Sequence, residues 1–433
     1  MTNAIVRATN TEKPLSDANE TPPRPTILTL TPYYLPAYKA GGPIRSISNL
    51  VGAVGEEFHF RIVSLDRDLG DKVPFTGVVA NRWTSVGNGD VIYLRPGLRG
   101  FLRMCALLRS VDRNTVLYLN SFFSRRFSML AILMLRLKLC RIRRLVLAPR
   151  GEFSLGALQL KHTRKRVYIR ISKWFGLYQG LIWHASSEFE EADIRRQFRL
   201  LQPVTVASVI PASEASGGKL ATSQVAVASD LAGVVEVGQH ERRRKMLGQL
   251  RVVFVSRLSR KKNLAGALQM LDGVSGDVSF NIYGPKEDAV YWKECQGLIA
   301  ALPANIQARY CGQIEHAMIH QVFANHDLFL FPTLGENYGH VICEALVSGC
   351  PVLISNQTPW RGLETLNVGW DLPLSEPERF REVLQQCVDM GPEEQAAMSV
   401  RAARFGASRA NAPAVIEENR ALFRLAFEMP TSK

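Results

Sequence analysis

Residues 331–351 read FPTLGENYGHVICEALVSGCP, and this stretch indicates the fold class. An apolar strand runs to a proline, a glycine-rich turn follows, and a helix is expected to begin near Gly339. Strand, turn and helix in this order are typical of a parallel α/β unit, whose helix N-terminus is free to receive a phosphate. Glu336 in the turn and Glu344 within the helix can therefore face one cleft.

The two glutamates need separate explanations. An acidic side chain near a helix start often only complements the helix dipole, which accounts for one of them. It does not account for Glu344, which interrupts an apolar helix face where an unpaired charge is costly. We therefore predict that both carboxylates accept hydrogen bonds from the hydroxyls of a sugar.

A second polar cluster occupies residues 254–264, FVSRLSRKKNL. A strand is predicted to end just before Arg257, and the following loop leads into a helix that holds Lys262 near its start. Arginine binds phosphate oxygens through a two-pronged fork and lysine supplies a compact charge, so the pair can neutralise a departing nucleotide diphosphate. Arg260 and Lys261 are interpreted as solvated members of a basic turn.

Apolar runs alternate with helix-length segments over most of the chain. Strands are predicted at residues 26–31, 60–65, 91–94, 116–119, 145–148, 181–185, 251–256, 278–283 and 328–331. This rhythm is typical of parallel α/β sheets, and two such domains bind ligands in a cleft between the carboxyl ends of their strands. The sequence therefore predicts two α/β domains that face each other.

Composition sets the expected domain boundaries. A polar stretch with several prolines precedes the first strand, and a Ser-, Ala- and Gly-rich stretch separates the two series of strands. We predict a disordered extension at residues 1–24, an N-terminal domain at 25–210, a linker or insertion at 211–247, a C-terminal domain at 248–412, and a final helix and tail at 413–433.

The sequence resembles the family 4, or group 1, glycosyltransferases, which are retaining enzymes of the GT-B fold that use nucleotide sugars. The resemblance rests on the E-x7-E motif ENYGHVICE at 336–344, followed by ALVSGCPVLIS, and on the R-x4-K motif at 257–262. It implies two Rossmann-like parallel-sheet domains that face a central cleft, with the C-terminal helix packing back across. The N-terminal domain would bind the acceptor and the C-terminal domain the nucleotide sugar.

The resemblance also implies roles for residues on the donor side. Glu344 would bind the ribose hydroxyls. Arg257 and Lys262 would hold the departing diphosphate, and Glu336 would lie beside the transferred sugar; these three form the expected catalytic group. Further donor contacts are expected from Gly41, Gly42, Gly312, Gln313, Ile314, Asn337, Tyr338, Gly339, His340 and Val341. The donor would be a UDP- or GDP-sugar, with no cofactor and no metal, and the leaving phosphate would accept the proton of the acceptor hydroxyl.

The acceptor side departs from the family. Many members carry a histidine after the strand that here reads VLYLNSFFS, whereas this chain has Asn120 and Ser121. Arg150, in APRGEF, and His184, in IWHASSE, follow other predicted strand ends and are further candidates for acceptor contacts. Either of these two could equally be structural.

The net charge of +14 is concentrated in one part of the chain. Residues 95–173 contain 19 Lys and Arg but only two acidic residues, Asp112 and Glu152. Within them, residues 161–178 place apolar side chains at helical spacing beside basic ones. Such a helix either packs on its own domain or rests on a membrane, and the charge density favours anionic headgroups or a polyprenyl diphosphate.

The segments GGPIRSISNL, APRGEF and TPWRGLE resemble segments of bacterial family members that build surface polysaccharide. This implies transfer of a hexose-type sugar to a saccharide acceptor, free or linked to a polyprenyl diphosphate. No apolar run has the length of a membrane span, and the seven cysteines form no paired motif. We therefore expect a cytoplasmic protein, peripheral on the inner face of the plasma membrane, that binds no nucleic acid.

Other interpretations of the residues stay open. A nucleotide-sugar 2-epimerase of the same fold would need no acceptor, and the excess of basic residues is compatible with a nucleic-acid-binding protein. Asp66 and Asp68 match the D-x-D pattern that binds a metal in the other major glycosyltransferase fold. Their neighbourhood, RDLGDK, indicates a charged surface turn instead.

Overall fold

The computed structural model describes residues 24–154, 157–158, 162–198, 203–204, 223–233, 242–315, 318–410 and 412–429. Apart from Arg24, the predicted disordered extension at residues 1–24 lies outside the described residues. The predicted linker at 211–247 is described only at 223–233 and 242–247.

The N-terminal domain is built on a nine-stranded sheet. Its strands are β1 (Thr26–Leu30), β2 (His59–Leu65), β3 (Trp83–Val86), β4 (Gly89–Leu94), β5 (Val116–Asn120), β6 (Arg144–Ala148), β7 (Ile182–Ala185), β8 (Pro203–Val204) and β9 (Gln224–Val227). They lie in the order β3-β4-β2-β1-β5-β6-β7-β9-β8, and only β3 and β4 pair antiparallel. The central strand β1 has β2 on one side and β5 on the other, so the direction of crossover reverses there.

Helices cover both faces of this sheet. They are α1 (Gly42–Val54), α2 (Leu98–Ser110), α3 (Leu130–Arg136), α4 (His162–Trp174) and α5 (Glu188–Phe198). α1 packs on one face, in a buried cluster with Ile27 and Phe60. The other four pack on the opposite face, in a cluster with Leu28 and Leu117. The two clusters use alternate residues of the same strands because successive strand side chains point to opposite faces.

The C-terminal domain has a six-stranded parallel sheet. Its strands are β10 (Gln249–Val255), β11 (Asp277–Tyr283), β12 (Ile306–Tyr310), β13 (Leu328–Phe331), β14 (Val352–Ser355) and β15 (Gly369–Leu372). The order β12-β11-β10-β13-β14-β15 is that of a Rossmann fold, in which ligands bind where the crossover direction reverses. In this domain that point lies between β10 and β13.

The remaining helices are α6 (Leu264–Leu271), α7 (Ala289–Ala301), α8 (Ile319–Ala324), α9 (His340–Val347), α10 (Pro377–Asp389), α11 (Pro392–Ala410) and α12 (Pro413–Glu428). Each of the nine strands predicted from the sequence is present, with ends that differ by two residues at most. The strands that were not predicted, such as β3 and β15, are short. Among the residues that the structure describes, no helix combines the length and the apolar character needed to cross a membrane.

β9 corrects the predicted linker. Residues 224–227 fall within it, but they pair in parallel with β7, so the N-terminal domain continues past residue 210. The short sequence QVAV forms a strand because β7 supplies its hydrogen-bond partners. The Ser- and Ala-rich residues around it gave no strand signal in the sequence. Lys245, near the end of the predicted linker, belongs to the C-terminal domain: its Nζ donates to the carbonyl oxygens of Val388 and Met390, each at 3.0 Å.

The last helix, α12, returns to the N-terminal domain, as the sequence predicts. Phe423 is fully buried there, with its ring edge-on to Phe60 at 5.8 Å and to Tyr118 at 5.3 Å between ring centroids. At the surface, Arg424 forms a two-pronged pair with Glu57 at 2.7 and 2.9 Å. The helix therefore ties the chain terminus to the domain that begins the chain.

We expect Phe423→Ala to lower the free energy of unfolding by about 3–5 kcal/mol, because it removes a buried ring and leaves a cavity. Urea unfolding followed by circular dichroism measures the change. The matched control is Arg424→Ala on the same helix, which loses only surface ion pairs with Glu57 and Glu417 and should cost less than about 1 kcal/mol. Equal effects of the two variants would show that α12 is not anchored by its apolar face.

Candidate active site

A cleft of about 330 Å³ lies between the two domains, at the carboxyl ends of their strands. Fourteen of the residues predicted from the sequence line it: Gly41, Gly42, Arg150, Arg257, Lys262, Gln313, Ile314, Glu336, Asn337, Tyr338, Gly339, His340, Val341 and Glu344. Gly312, Asn120, Ser121 and His184 do not. Residues that the sequence analysis missed include Tyr38, Lys39, Arg45, Ser46, Asp230, Lys261, Tyr283 and Pro285.

Lys262 and Glu336 form an ion pair at the point where β10 and β13 end. Both side chains are largely buried, with 13% and 14% of their surfaces exposed. Burial acts to raise the pKa of Glu336, but Lys262, together with Lys261 and Arg257, outweighs it and the pKa is lowered. Glu336 is therefore ionised and acts only as a hydrogen-bond acceptor.

The sequence predicts that Lys262 lies near the start of an α-helix. In the structure it lies in a short 3₁₀ turn, Arg260–Lys262. Asn263 ends this turn with a left-handed backbone (φ 58°), and its Oδ1 accepts from Gly266 N at 3.2 Å to cap α6. The left-handed backbone at Asn263 interrupts the right-handed helical path, so α6 begins only at Leu264.

The interpretation of Lys261 as a solvated residue is wrong, because its side chain lines the cleft. Burial lowers its pKa, while Glu336 opposes this. Its carbonyl oxygen accepts from Leu334 N at 2.8 Å and from Thr333 Oγ1 at 3.1 Å, which joins the loop after β10 to the loop after β13. Arg260 points away, exposed and paired with Glu294 at 2.8 Å.

Arg257 stands at the mouth of the cleft, where it donates to Glu287 at 3.0 and 3.2 Å. Its guanidinium faces the loop of the N-terminal domain at Gly41, whose φ of 71° favours glycine. Gly284, after β11, is also required: a Cβ there would lie 1.8 Å from Ser256 O. Two glycines thus allow the backbone to approach Arg257 and the end of β10 closely.

Glu344 forms an ion pair with Arg45 of α1 at 2.6 Å, so the pair joins the two domains. Burial raises the pKa of Glu344 to about 7, and Arg45 only partly offsets this. No motif in the sequence indicates Arg45. Its position in the first turn of the helix, three residues after Gly42, is the one signal that could have found it.

The N-terminus of α9 opens into the cleft. Gly339 caps it with a φ of 83°, and a Cβ there would lie 2.8 Å from Ile342 Cδ1. Trp360 Nε1 donates to Tyr338 O at 2.6 Å and holds the turn before the helix. The first backbone amides of a helix have no partner within it, so those at His340 and Val341 are suited to an anion.

Arg150 is the one acceptor candidate that the structure brings to the cleft. Its Nη1 donates to Asp230, and its Nη2 donates to Tyr118 Oη at 2.7 Å and to Asn120 Oδ1 at 3.1 Å. Burial acts to raise the pKa of Asp230, but Arg150 outweighs this effect and the pKa is lowered. Asp230 lies three residues after β9. It was not predicted to line the cleft because it falls within the predicted linker.

The other three acceptor candidates, Asn120, Ser121 and His184, do not line the cleft. His184 is fully buried, between Tyr118 Oη and Ala228 O at 2.8 Å each, and burial lowers its pKa to about 4. Ser121 Oγ donates to Glu152 Oε1 at 2.7 Å and braces a loop. Asn120 accepts from Arg150. These side chains support the cleft without lining it.

Among the described residues, polar contacts cross the cleft at three places at least. One is the Arg45 pair described above; in the second, Asn337 Nδ2 donates to Ser186 Oγ. In the third, His340 Nε2 lies 3.0 Å from Ser46 Oγ, which donates to Asp230 Oδ2 at 2.8 Å. Burial lowers the pKa of His340 to about 4, so this imidazole is neutral at neutral pH.

The predicted surface turn is present at residues 69–72, which are exposed, but Asp66 and Asp68 themselves are buried. Asp68 Oδ2 accepts from Tyr38 N at 2.8 Å and from Lys39 N at 3.0 Å, and so holds the loop that leads to the glycine pair. Within the described ranges, no group of three His, Cys, Asp or Glu could hold a metal ion.

The charge of the cleft favours an anionic ligand. The cations that line it are Lys39, Arg45, Arg150, Arg257, Lys261 and Lys262, and the carboxylates are Asp230, Glu336 and Glu344. Because His340 is neutral, the cations outnumber the carboxylates two to one. Such an excess in a partly enclosed site attracts a phosphorylated ligand.

Comparison with known proteins agrees with this geometry. Residues 239–404, which contain both polar clusters, match the family model "Glycosyl transferases group 1". No curated protein sequence matches the chain. The match places a glycosyltransferase domain in the C-terminal half.

Solved structures share the fold over nearly the whole chain. Sucrose-phosphate synthase from Thermosynechococcus elongatus has a TM-score of 0.65 at 15% identity, over 93% of this chain and 99% of that chain. Anabaena HepE, solved in complex with UDP-glucose, has 0.61 at 14%, over 92% and 99%. An α,α-trehalose-phosphate synthase (UDP-forming) from Burkholderia vietnamiensis has 0.60 at 13%, over 94% and 99%. These similarities confirm the predicted GT-B fold.

The pKa of Glu344 makes stability depend on pH. In the folded protein the pKa of the Glu344 carboxyl group is about 7, whereas its ordinary value is 4.5. Between these two pH values the folded state therefore binds more protons than the unfolded state. Wild type should therefore lose stability as pH rises through this window, by on the order of 3 kcal/mol.

Glu344→Gln has no carboxyl group to ionise, so the difference in Tm between this variant and wild type should shift in favour of the variant between about pH 5 and about pH 8. Thermal unfolding at the two pH values tests this. Glu378→Gln, which removes a carboxylate that is 72% exposed, is the matched control and should show no such shift. A pH-independent difference for Glu344→Gln would contradict the raised pKa.

Proposed function

We propose that the chain, whose residues 239–404 match a glycosyltransferase domain, transfers a hexose-type sugar, with retention of anomeric configuration, from a nucleoside diphosphate sugar to a saccharide acceptor. One observation carries the proposal: the ion pair of Lys262 and Glu336 stands beside the N-terminus of α9, with Glu344 in the same cleft. The cations and helix amides would then bind the diphosphate, and the two carboxylates would bind the sugar and the ribose.

The diphosphate would lie between the N-terminus of α9 and the cations Arg257, Lys261 and Lys262. A helix N-terminus offers unpaired backbone amides, and lysine and arginine add fixed charge. Because Lys262 already has a carboxylate partner, its ammonium group is held in place before the ligand arrives. Preorganised charge of this kind stabilises a departing phosphate without reorganisation during the reaction.

The two carboxylates would bind opposite ends of the donor. Glu336, ionised and next to the phosphate-binding cations, would accept from hydroxyls of the transferred sugar. Glu344 would accept from the ribose hydroxyls and exchange its contact with Arg45 for them. Tyr283, Pro285 and Ile314 line the remaining end of the cleft and would contact the base.

Retention follows if both substrates react on one face of the sugar. The bond between the anomeric carbon and the phosphate oxygen breaks, and the acceptor oxygen bonds to the same face. The acceptor's proton passes to the phosphate oxygen that leaves. The chain's residues then supply position and charge, which account for much of an enzyme's rate enhancement.

UDP or GDP sugars are the proposed donors. The structural neighbours favour uridine, since Anabaena HepE is solved with UDP-glucose and the Burkholderia synthase is described as UDP-forming. The acceptor is proposed to be linked to a polyprenyl diphosphate, in surface polysaccharide synthesis at the cytoplasmic face of the plasma membrane. The basic charge of residues 95–173 supports an anionic acceptor or surface.

A release assay tests the reaction. Purified protein is incubated with UDP-, GDP- and ADP-sugars, with and without a membrane extract, and the released nucleotide is measured. We expect release from one nucleotide class that increases with the extract, because water is a poorer acceptor than the saccharide. An altered free sugar formed without any acceptor would show an epimerase instead, and an inverted anomer in the product would exclude retention.

Lys262→Ala and Arg257→Ala should each lower kcat for nucleotide release by about 100- to 1,000-fold, because they remove charge that faces the departing diphosphate. Arg260→Ala is the matched control from the same turn, since Arg260 is exposed and pairs with Glu294 outside the cleft. It should retain activity within about twofold. Wild-type turnover in either of the first two variants would exclude the proposed diphosphate site.

A further inference from the structure

The outer surface of α2, α3 and α4, which we call the three-helix face, concentrates exposed apolar side chains. Ten of the 22 large apolar residues that are exposed in the described chain fall within residues 98–175. They include Leu102 of α2, Leu137 just after α3 and Trp174 at the end of α4. Single exposed apolar residues are common on protein surfaces, but a cluster marks an interaction site.

The three helices form one continuous surface. They pack side by side on one face of the N-terminal sheet. Arg136 of α3 donates from Nε to Leu177 O, just after α4, at 2.9 Å. Arg126, just before α3, donates to Arg95 O, just before α2, at 3.2 Å. The apolar residues of the three helices therefore share one side of the domain.

Trp174 and Phe175 are two adjacent aromatic members of this face. Their side chains are 81% and 63% exposed, and their ring centroids lie 4.7 Å apart. Large aromatic rings that stay in water forgo the free energy of burying their apolar area. Tryptophan is enriched at the boundary between membrane and water, where its ring lies among the lipid headgroups.

The same surface is strongly basic. Arg99 and Arg103 of α2 and Arg166 and Arg170 of α4 are exposed. Asp112 and Glu152 are the only acidic residues within 95–173. Glu152 cannot balance the arginines from outside, because its carboxylate points inward and accepts from the amides of Phe122 and Phe123.

We propose that the three-helix face docks the N-terminal domain on an anionic phospholipid bilayer, with Trp174 and Phe175 among the headgroups and the arginines beside lipid phosphates. Basic, amphipathic helices with aromatic residues bind bilayers in this way. The proposal deepens the proposed function by naming the surface on which it would operate, and rests on that function only for the acceptor.

The charge and the apolar area together favour this occupant over others. A second copy of the chain in a symmetric dimer would bring two identical positive surfaces together. A nucleic acid would satisfy the arginines through its phosphates but would leave Leu102, Leu137 and Trp174 in water. A bilayer with anionic headgroups matches both features.

The three-helix face extends from the rim of the cleft toward the opposite edge of the sheet. In a parallel α/β domain, the helix that follows a strand begins at the strand's carboxyl end, which is where the cleft lies. The first turns of α2 and α4 are therefore at the rim of the cleft. Trp174 and Phe175, at the end of α4, lie toward the opposite edge of the sheet.

Sedimentation of the full chain with vesicles tests the proposal. The vesicles contain equal parts of phosphatidylglycerol and phosphatidylcholine, or phosphatidylcholine alone, and no donor is added. We expect binding to the anionic vesicles only, weaker at high salt. Trp174→Ala combined with Phe175→Ala, and separately Arg166→Glu combined with Arg170→Glu, should weaken it by at least about tenfold each.

Matched controls come from α11 of the other domain. Val400→Ala and Arg404→Glu change an exposed apolar residue and an exposed arginine there and should leave vesicle binding unchanged. Circular dichroism confirms that each variant is folded. Nucleotide release without acceptor should be unaffected by the variants of the three-helix face, which separates a failure of docking from a failure of the proposed reaction.

Several results would overturn the proposal. One is wild-type protein that does not sediment with anionic vesicles. Another is a self-association that the same variants abolish while vesicle binding persists. A third is salt-sensitive binding to DNA that is tighter than binding to the anionic vesicles, which would assign the face to nucleic acid.

Discussion

The parallel pairing of β10 with β13 is the constraint on which the donor side depends. It brings together two loops that are about seventy residues apart in the chain, and the carbonyl oxygen of Lys261 then joins them by accepting from Leu334 and Thr333. Parallel neighbours end at the same edge of a sheet, so both loops open into one cleft. The ion pair of Lys262 and Glu336 is a consequence of that geometry.

The two glutamates of the motif end in different electrostatic states for a physical reason. Glu336 is surrounded by cations of its own domain, and its pKa is lowered in spite of burial. Glu344 has only Arg45 of the opposite domain, and burial raises its pKa to about 7. The charge of Glu344 therefore depends on how the domains face each other, whereas the charge of Glu336 does not.

The basic residues of the N-terminal domain divide between two places. Arg150 lies inside, where Asp230, Tyr118 and Asn120 satisfy its guanidinium and point it into the cleft. Most of the others lie on the surface, many of them beside the exposed apolar residues of α2 to α4. One guanidinium thus needs a buried network to be tolerated, while the rest keep their hydration and stay available to an anionic partner.

The sequence by itself determined the alternation of strands and helices, the two-domain architecture and the two charged motifs, because these depend on local periodicity and on glycines and charges close together in the chain. Only the tertiary structure decided that Arg45, Lys261 and Asp230 line the cleft and that His184 does not. The direction of a side chain there depends on partners from distant elements: Arg45 on Glu344, Asp230 on Arg150, His184 on Tyr118. The strand β9 likewise could not be predicted from the sequence, since four residues become a strand only when a neighbour such as β7 completes their hydrogen bonds.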